Sequence, residues 1–481
     1  MKLRELLSGL DILETNCDLD TDIREVQYDS RLVESGDLFV AVVGVAVDGH
    51  KYIPMSIEKG AVCAVCQTVP EGGLPFVRVA DSRRALAVIG ANRFGHPARE
   101  LTMIGVTGTS GKTTSTYLIK SILEQKAGAK VGLIGTIQNM VGDKVLPTER
   151  TTPESFEVQK LLREMSDAGC SHVVMEVSSH ALCLDRVYGI QFAVGIYTNL
   201  SRDHLDFHHT MEEYCDAKAI LFDHCDIGIY NADDPYHERL MQNATCRRRF
   251  SYSVNGSADL MAKNVQLHAG SVDFDAEADT EWSHIHVGIP ALFTVYNTLD
   301  AVACCWNLGV PLTECADALA KNHGVKGRME IIPTPGKNYT ILNDYSHKPD
   351  ALENVLVAVK GFAKGRTVVL FGCGGDRDKT KRPVMGSIAA KLADFVIVTS
   401  DNPRTEEPMA IINDILEGMK DTDTPYATIP DRVEAIHYAM DNAQEGDVII
   451  LAGKGHEDYQ EIHHKHYPMD ERVIVAEYLH K

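Results

Sequence analysis

Short apolar runs of strand length alternate with helical patterns along most of this chain. The run Leu101 to Val106 stops at a turn rich in Gly, Ser and Thr, and a helical pattern begins near Lys112. The runs KVGLIGT, HVVMEVSSH and FAVGIYTNL follow, with polar residues at or near their ends. Strands that alternate with helices are typical of parallel sheets with crossover helices. The pattern therefore predicts an α/β protein whose polar loops gather at one edge of each sheet.

The alternation restarts along the chain, which predicts three domains. Residues 1–97 are predicted to form a small α/β unit, residues 98–331 a central parallel sheet, and residues 332–481 a doubly wound sheet. The length agrees, because 481 residues are too many for one core and suggest about three domains. Short alternating runs between 246 and 288 predict inserted strands.

The turn GTSGKTT after the first central strand has the composition of a phosphate-binding loop. Its glycines let backbone N–H groups surround anionic oxygens, its lysine supplies positive charge, and a threonine hydroxyl can reach Mg²⁺. The strict pattern places a glycine where Val106 stands, so an ordinary loop is the alternative. The strand before it and the helix after it favour nucleotide binding through Gly108, Thr109, Ser110, Gly111, Lys112, Thr113 and Thr114.

Glu176 is the one charged residue in the apolar run HVVMEV. A buried carboxylate is costly unless a cation meets it, and a nucleotide-bound Mg²⁺ is the natural partner. A structural glutamate in a salt bridge is the alternative. Upstream, Thr152 is predicted to cap the helix that begins in TTPES, with Pro153 in its first turn.

Composition limits the partners and the compartment. A formal net charge of −21 argues against nucleic acid or an anionic membrane as the main partner. The longest apolar run, Phe39 to Val47, is far below the ~20 residues that span a bilayer. The N-terminus lacks the apolar core of a signal peptide, so a cytoplasmic protein without membrane insertion is expected. Cys63 and Cys66 form a CxxC, but the alternation in GAVCAVCQ favours a strand over a metal or redox site.

Cationic residues lie beside acids in the loops of the last third of the chain. Arg377, Arg404 and Lys454 each have carboxylates nearby in sequence, which suits a zwitterionic small molecule. Together with a bound nucleotide, this chemistry predicts a transfer or joining reaction.

A series of motifs carries a resemblance to the Mur ligase family. They are GTSGKTT, TTPES, MEVSSHAL, NLSRDHLDFH, YNTLDA, GRME, DYSHKPD, FGCGGDRD, SDNPRTEEP and LAGKGHEDYQ. Their order and spacing span nearly the whole chain. Within the family, the chain most resembles the ligase that adds 2,6-diaminopimelate as the third residue of the peptidoglycan stem.

The resemblance implies a small N-terminal UDP-binding domain, a central P-loop domain and a C-terminal Rossmann-like domain. It also implies that ATP phosphorylates the D-glutamyl carboxylate of a UDP-N-acetylmuramoyl dipeptide, and that the amine of meso-diaminopimelate attacks the acyl phosphate. By the family pattern, Lys112 offsets phosphoryl charge, Thr113 and Glu176 hold one Mg²⁺, and His204 helps hold a second. Lys218 matches a lysine that is carbamylated into a metal ligand. A monomer is expected.

The resemblance further implies three sets of ligand-binding residues. For ATP they are Asn297, Arg328, Asp344 and His347. For the uridine-linked substrate they are Ser30, Thr151, Thr152, Ser178 and Arg186. For the amino acid they are Arg377, Asp401, Asn402, Pro403, Arg404, Gly453 and Glu457, with Arg404 pairing the distal carboxylate and Glu457 the distal ammonium.

Three alternatives remain at this point. A lysine-adding ligase of the same family would give Arg404 no carboxylate to meet. A folylpolyglutamate synthase is disfavoured by the DNPR and GKGHE motifs. A nucleotide-dependent switch, which is not an enzyme, would need the phosphate loop but no acceptor pockets.

Overall fold

The described residues, 1–44, 47–126, 128–279, 281–322 and 324–480, divide into two units in the computed structural model. Unit 1 comprises Met1–Asp259 with Asp300–Val310, and unit 2 comprises Leu260–Leu299 with Pro311–Lys481. The division cuts one helix, between Leu299 and Asp300. Each unit contains at least one parallel sheet flanked by helices.

Unit 1 begins with a five-stranded sheet whose order is β1-β5-β4-β3-β2. The edge strand β1 is antiparallel and the other strands are parallel. Buried Leu, Ile and Val side chains from the strands and from α1 and α3 form its core. The elements are α1 (Leu3–Leu6), β1 (Ile12–Thr15), β2 (Val26–Gln27), β3 (Leu38–Val40), α2 (Ile53–Glu58), β4 (Cys63–Cys66), β5 (Phe76–Val79) and α3 (Ser82–Arg93).

The central strands of unit 1 follow in the order β13-β12-β11-β6-β10-β7-β8-β9. All are parallel except β8 and β9. The elements are β6 (Thr102–Thr107), α4 (Lys112–Lys126), β7 (Val131–Ile134), β8 (Asn139–Val141), β9 (Lys144–Leu146), α5 (Ser155–Asp167), β10 (His172–Glu176), α6 (Ser179–Cys183), β11 (Phe192–Tyr197), α7 (Leu205–His208), α8 (Met211–Asp223), β12 (Cys225–Asn231), α9 (His237–Asn243) and β13 (Arg248–Ser253).

Strand register aligns the carboxyl ends of the three middle strands of this sheet. Glu176 at the end of β10 pairs with Val106 of β6, and Tyr197 at the end of β11 pairs with Thr107. The segments after β6, β10 and β11 therefore leave from one edge. This is where an open α/β sheet collects its ligands.

Unit 2 opens with an antiparallel meander of β14 (Leu260–Leu267), β15 (Val272–Ala278) and β16 (Glu281–Val287). Alternate residues of β15 and β16 are buried, as the period of two in the sequence requires. The helices α10 (Leu292–Asn307) and α11 (Leu312–Leu319) follow. The predicted inserted strands are thus confirmed.

The last part of unit 2 is a six-stranded sheet of order β17-β18-β22-β19-β20-β21, parallel except for β17. Buried Ile, Val and Leu side chains from five of the six strands, all but β21, contribute to its core. A separate hairpin, β23–β24, follows it. The elements are β17 (Glu330–Ile332), β18 (Thr340–Asp344), α12 (Pro349–Lys360), β19 (Thr367–Phe371), α13 (Lys381–Leu392), β20 (Phe395–Val398), α14 (Pro408–Glu417), β21 (Tyr426–Thr428), α15 (Arg432–Asp441), β22 (Val448–Ala452), β23 (Tyr459–Ile462), β24 (Lys465–Pro468) and α16 (Glu471–Leu479).

The α/β fold class with three sheet regions is confirmed, while the predicted domain edges stay predictions. Cys63 and Cys66 begin and end the buried strand β4, as the alternation predicted. One helix boundary was wrong: α5 begins at Ser155, its N-cap position is Glu154, and Thr152 does not cap it. In the described part of the chain, no helix is both long enough and apolar enough to cross a membrane.

Candidate active site

The phosphate loop connects β6 to α4 through a tight backbone path. Gly108 has φ of +148°, and a Cβ there would lie 1.9 Å from Thr198 Oγ1, so only glycine fits. Gly111 also has a positive φ, of +88°. Lys112 Nζ donates to the carbonyl oxygens of Gly108 (2.8 Å) and Thr109 (2.9 Å), which keeps the ammonium folded over the loop. Thr113 and Thr114 are buried in the first turn of α4.

The residues that follow β11 hold this loop in place. Asn199 accepts from Thr109 N through its carbonyl oxygen (2.9 Å) and from Ser110 N through Oδ1 (3.0 Å). Thr198 Oγ1 donates to the Ser110 carbonyl oxygen at 2.7 Å. The loop is therefore positioned by a neighbouring strand end as well as by its own glycines. Neither Thr198 nor Asn199 was assigned a role from the sequence, although Asn199 begins the motif NLSRDHLDFH and Thr198 directly precedes it.

Glu176 is 1% exposed at the end of β10. Thr136 supplies both of its hydrogen bonds: the backbone N–H to Oε1 and the hydroxyl to Oε2, each at 2.9 Å. Within the described ranges the carboxylate forms no ion pair. A buried carboxylate that meets only neutral donors fits a bound cation. The alternative of a salt-bridged structural glutamate is wrong for the described residues, and Thr136 is a contact that sequence reasoning missed.

Thr152 ties the TTPES segment to the end of β10. Its hydroxyl donates to the Glu176 carbonyl oxygen (2.8 Å) and accepts from Ser178 N (3.2 Å), which explains why it does not cap α5. Arg186 donates to the Thr152 carbonyl oxygen at 3.0 Å and lies 2.8 Å from a carboxylate oxygen of Glu154. Thr151 Oγ1 is 3.0 Å from Thr136 Oγ1. Thr152 therefore contacts Glu176 directly, while Thr151 is linked to it through Thr136, and Ser178 and Arg186 are linked to it through Thr152.

Lys218 is a buried lysine in the middle of α8. Burial lowers its pKa well below the usual value, and the positive charge of Lys112 lowers it further. Its Nζ lies 4.3 Å from the centre of the Tyr214 ring, and no hydrogen bond or ion pair of Nζ is formed with the described residues. A lowered pKa favours the neutral amine, which is the form that reacts with CO₂.

The imidazole rings of His204 and His180 lie close to the same helix. His204, with φ of +53°, sits in the left-handed region just before α7 and lies 3.3 Å from a carboxylate oxygen of Asp203. Its ring is 4.8 Å from that of His180 and 6.3 Å from that of Tyr214, the ring that Lys218 contacts. Groups of three or more His, Cys, Asp or Glu side chains arranged to hold a metal are absent from the part of the chain that the structure describes.

Ser30 lies in the N-terminal sheet region of unit 1, away from the phosphate loop in sequence. It is buried, and its carbonyl oxygen accepts from Lys59 Nζ at 2.9 Å. Its neighbours Asp29 and Arg31 pair with each other at 2.6 Å. The structure records no contact of Ser30 with the other predicted substrate residues.

In unit 2, the predicted ATP residues other than Asn297 gather at the end of β18. Asp344 is buried, which raises its pKa, and it accepts from Ser346 Oγ and from Met329 N (2.8 Å). The Arg328 guanidinium lies 5.4 Å from the Tyr345 ring, and the His347 ring lies 4.5 Å from it. Asn297 is buried on α10.

Two buried polar atoms beside Tyr345 have no hydrogen-bond partner among the described residues, Arg328 Nε and His456 Nδ1. The His456 ring is 4.7 Å from that of Tyr345. Burial lowers the pKa of His456 to about 4, and Arg328 adds to the effect. Orphaned donors and acceptors next to a cation and an aromatic ring suit a polar ligand such as a nucleotide.

Arg404 lies in a loop after β20, and its side chain is 16% exposed. Nε pairs with Glu461 Oε2 at 2.8 Å, and Nη1 donates to the Gly375 carbonyl oxygen at 2.9 Å. A Cβ on Gly374 would lie 2.9 Å from Nη1, so the glycine loop makes room for the guanidinium. The loops after β19 and β20 therefore pack around Arg404, and the alternative of a surface charge is wrong.

Lys454 connects two of the predicted amino-acid-binding residues, Asn402 and Glu457. Its buried ammonium donates to Asn402 Oδ1 (2.6 Å), to Glu457 Oε2 (3.1 Å) and to the Tyr459 carbonyl oxygen (2.6 Å). Asn402 Nδ2 also donates to Glu457 Oε2 at 3.1 Å. The network brings DNPR and GKGHE together in one cluster.

Four further predicted residues border this cluster. A Cβ on Gly453 would lie 3.1 Å from Asp401 Oδ2, so the two loops are in close contact. The Pro403 carbonyl oxygen would lie 1.9 Å from a Cβ on Gly375, which again leaves room only for glycine. Arg377 is exposed. Its Cγ would lie 3.7 Å from a Cβ on Gly374, the same position that Arg404 Nη1 approaches.

The fold and these two sets of residues define a class of protein. The sequence matches the Mur ligase family catalytic domain at residues 22–93, the Mur ligase middle domain at 106–305 and the Mur ligase glutamate ligase domain at 327–455. The chain belongs to the Mur ligase family.

Individual relatives are similar over their full length. Proteins named UDP-N-acetylmuramoyl-L-alanyl-D-glutamate--2,6-diaminopimelate ligase share 46% identity in Clostridium tetani, covering 99% of both chains, and 47% in Clostridium acetobutylicum, covering 100% of this chain and 99% of the relative. A solved structure of a protein with that name has a TM-score of 0.73 at 30% identity and covers 100% of this chain and 99% of its own.

Proposed function

We propose that this protein is an ATP-dependent ligase that joins meso-2,6-diaminopimelate to the D-glutamyl side-chain carboxylate of UDP-N-acetylmuramoyl-L-alanyl-D-glutamate. The full-length similarity to relatives of that name supports the reaction. The single observation that carries the choice of amino acid is Arg404, whose guanidinium is enclosed by the loops after β19 and β20. A cytoplasmic location and a monomeric state are part of the proposal.

The reaction proceeds in two steps. A D-glutamyl carboxylate oxygen attacks the γ-phosphorus of ATP, and ADP leaves, which turns a poor electrophile into an acyl phosphate. The deprotonated amine of the amino acid then attacks the carbonyl carbon, and the tetrahedral intermediate expels phosphate as the amide forms. The phosphate loop and Lys112 would bind the transferred group and offset its charge.

The residues beside the phosphate loop suit two cations. Thr113 and Glu176 would hold one Mg²⁺, and His204 with carbamylated Lys218 would help hold a second. Bound Mg²⁺ supplies charge neutralisation at the phosphoryl oxygens. The burial of Lys218 and its lowered pKa support carbamylation, because the neutral amine adds to CO₂ and the product is an anion.

Substrate contacts follow from the clusters described above. Thr151, Thr152, Ser178 and Arg186 are linked to Glu176 directly or through one residue and would orient the D-glutamyl end, while Ser30 would contact the uridine end. Asn297, Arg328, Asp344 and His347 would contact ATP. Asp401, Asn402, Pro403, Gly453 and Arg377 would line the amino-acid site, with Glu457 holding the distal ammonium.

Arg404 is the residue that would distinguish diaminopimelate from the similar amino acid lysine. Diaminopimelate carries a distal carboxylate that a guanidinium can pair with in a bidentate fork, whereas lysine has no such group. With lysine bound, the Arg404 donors would have no distal carboxylate to pair with and would face the chain that carries the lysine ammonium. The loss of this carboxylate contact disfavours lysine.

Phosphate release tests the proposal directly. The protein is incubated with ATP, Mg²⁺ and the UDP-linked dipeptide, with meso-diaminopimelate, L-lysine or no amino acid at equal concentration. Phosphate release is expected only with the dipeptide and diaminopimelate together. Equal turnover of lysine would overturn the choice of amino acid, and ATP hydrolysis that ignores both acceptors would indicate a nucleotide-dependent switch instead.

A further inference from the structure

The hairpin β23–β24 is separate from the six-stranded sheet and touches the DNPR loop. Its two-residue turn, His463 and His464, has φ values of +47° and +60°, the left-handed pair that a tight type I′ turn requires. The residues of the second strand are exposed. The hairpin follows the segment 327–455 that matches the family model.

The first strand of the hairpin contacts the DNPR loop residue by residue. Gln460 Nε2 donates to the Asp401 carbonyl oxygen at 2.7 Å. The backbone N–H of Glu461 donates to Asn402 Oδ1 at 2.8 Å. These bonds hold the DNPR loop against β23, and none of them involves a substrate group.

Arg404 is joined to the same strand through both its backbone and its side chain. Its N–H donates to the Glu461 carbonyl oxygen (3.1 Å), and its carbonyl oxygen accepts from His463 N (2.9 Å). Its φ of +50° is a strained conformation for a residue with a long side chain, and these two bonds hold it there. The Glu461 carboxylate then receives the Arg404 Nε–H at 2.8 Å.

The geometry of the guanidinium determines which donors are left for a ligand. Nε points to Glu461 and one N–H of Nη1 points to Gly375, so the fork is fixed in direction from two sides. Among the described residues, no hydrogen bond engages Nη2. Nη2 and the second N–H of Nη1 therefore remain as donors for a ligand carboxylate.

We propose that Glu461 is a positioning residue for amino-acid selection, because its carboxylate sets the direction in which Arg404 presents its free N–H groups. The inference rests on the proposed function. Glu461 is 19% exposed, and its carboxylate pairs with Arg404 Nε at 2.8 Å and lies 3.8 Å from His464 Nδ1. It acts through Arg404, and the hairpin is the element that carries it.

Steady-state kinetics of Glu461→Ala and Glu461→Gln test the inference. Glu461→Ala is expected to raise the KM for meso-diaminopimelate about tenfold, the change that loss of one charge-assisted hydrogen bond produces. Glu461→Gln keeps an acceptor without the charge and is expected to raise it by about threefold. The KM for ATP should stay within about twofold, since ATP binding does not involve the fork.

A double-mutant cycle separates positioning from simple loss of structure. If Glu461 acts through Arg404, the variant carrying both Arg404→Ala and Glu461→Ala has the same KM for diaminopimelate as Arg404→Ala alone, within about twofold. Independent effects would multiply instead. Lys465→Ala is the matched control, because Lys465 is exposed on the other strand of the hairpin. Thermal unfolding of each variant reports whether the fold is kept.

The outcomes distinguish this inference from the proposed function. A wild-type protein that does not use diaminopimelate would overturn both. An active wild type in which Glu461→Ala behaves like Lys465→Ala would overturn the positioning role alone. So would multiplicative effects in the cycle, or equal rises in the KM for ATP and for diaminopimelate, since each would assign Glu461 a structural role only.

Discussion

From the contact between Thr136 and Glu176 we predict that one substitution lowers both the stability of the protein and its affinity for Mg²⁺. Thr136→Val keeps the shape of the side chain and the backbone N–H but removes the hydroxyl that donates to Glu176 Oε2 at 2.9 Å. Glu176 is 1% exposed, so water cannot replace the lost donor without entering the site. The same hydroxyl lies 3.0 Å from Thr151 Oγ1, which also loses a neighbour.

The size of the effect follows from these contacts. A hydrogen bond to a charged group contributes about 1.5–3 kcal/mol. The added methyl returns less than the ~0.8 kcal/mol of a fully buried carbon, because Thr136 is only partly buried. The net loss in the free energy of unfolding of unit 1 is therefore about 1–2 kcal/mol, or roughly 4 °C in its unfolding temperature.

The same change should weaken magnesium binding. A group that orients a metal ligand typically contributes 10- to 100-fold in metal affinity, so the Mg²⁺ concentration for half-maximal ligation should rise about tenfold. The assays are differential scanning calorimetry without ligands and a Mg²⁺ titration of phosphate release. Thr136→Ser retains the hydroxyl and serves as the control. Equal behaviour of the serine and valine variants, or an unfolding temperature of the valine variant equal to that of the wild type, would refute the reasoning.

Four further predictions address other parts of the molecule. Arg404→Lys keeps the charge but not the fork, so the KM for diaminopimelate should rise about tenfold in steady-state assays, and an unchanged KM would contradict the bidentate contact. Lys218→Ala should lower the ligation rate by more than about 100-fold, beyond the loss typical of groups that only support a ligand, and short carboxylic acids should restore part of it; no restoration at any concentration would count against a carbamate. Gly108→Ala should abolish measurable ATP binding by calorimetry, since its Cβ would lie 1.9 Å from Thr198 Oγ1, while Gly256→Ala, whose nearest atom is 3.3 Å away, should bind normally. The pKa of His456 is lowered to about 4 in the folded protein, against about 6.5 in the unfolded chain. The unfolded state therefore takes up the proton first, and the free energy of unfolding should fall as the pH drops from about 6.5 to 4. A His456→Asn variant whose stability in urea unfolding falls equally steeply would contradict this.

Local sequence was enough to predict the phosphate loop and the strands around it. A strand, a glycine turn and a helix are encoded within a short segment, and their dihedral preferences act between near neighbours. The sequence also indicated that Glu176 needs a partner, because a carboxylate in an apolar run is costly wherever the run is buried. It did not identify Thr136 as the donor, since a threonine forty positions upstream carries no local signal.

Thr152 shows where local rules fail. Its residue type and its place before Pro153 favour a helix cap. In the folded chain its hydroxyl donates to the Glu176 carbonyl oxygen at the end of β10 and accepts from Ser178 N. A tertiary hydrogen bond replaced the local one, and the first turn of α5 begins without it.

By itself the sequence determined the α/β class, the order of the strands along the chain, and which charged residues demand explanation. Only the tertiary structure decided that Lys218 is buried and its pKa lowered, that Asn199 holds the phosphate loop, and that Glu461 meets Arg404. For Asn199 and the phosphate loop, which follow the neighbouring parallel strands β11 and β6, the physical reason is the crossover topology. Parallel strands are neighbours in space but are separated by whole helices in sequence, so the side chains that meet at their ends are paired by the sheet and not by spacing along the chain.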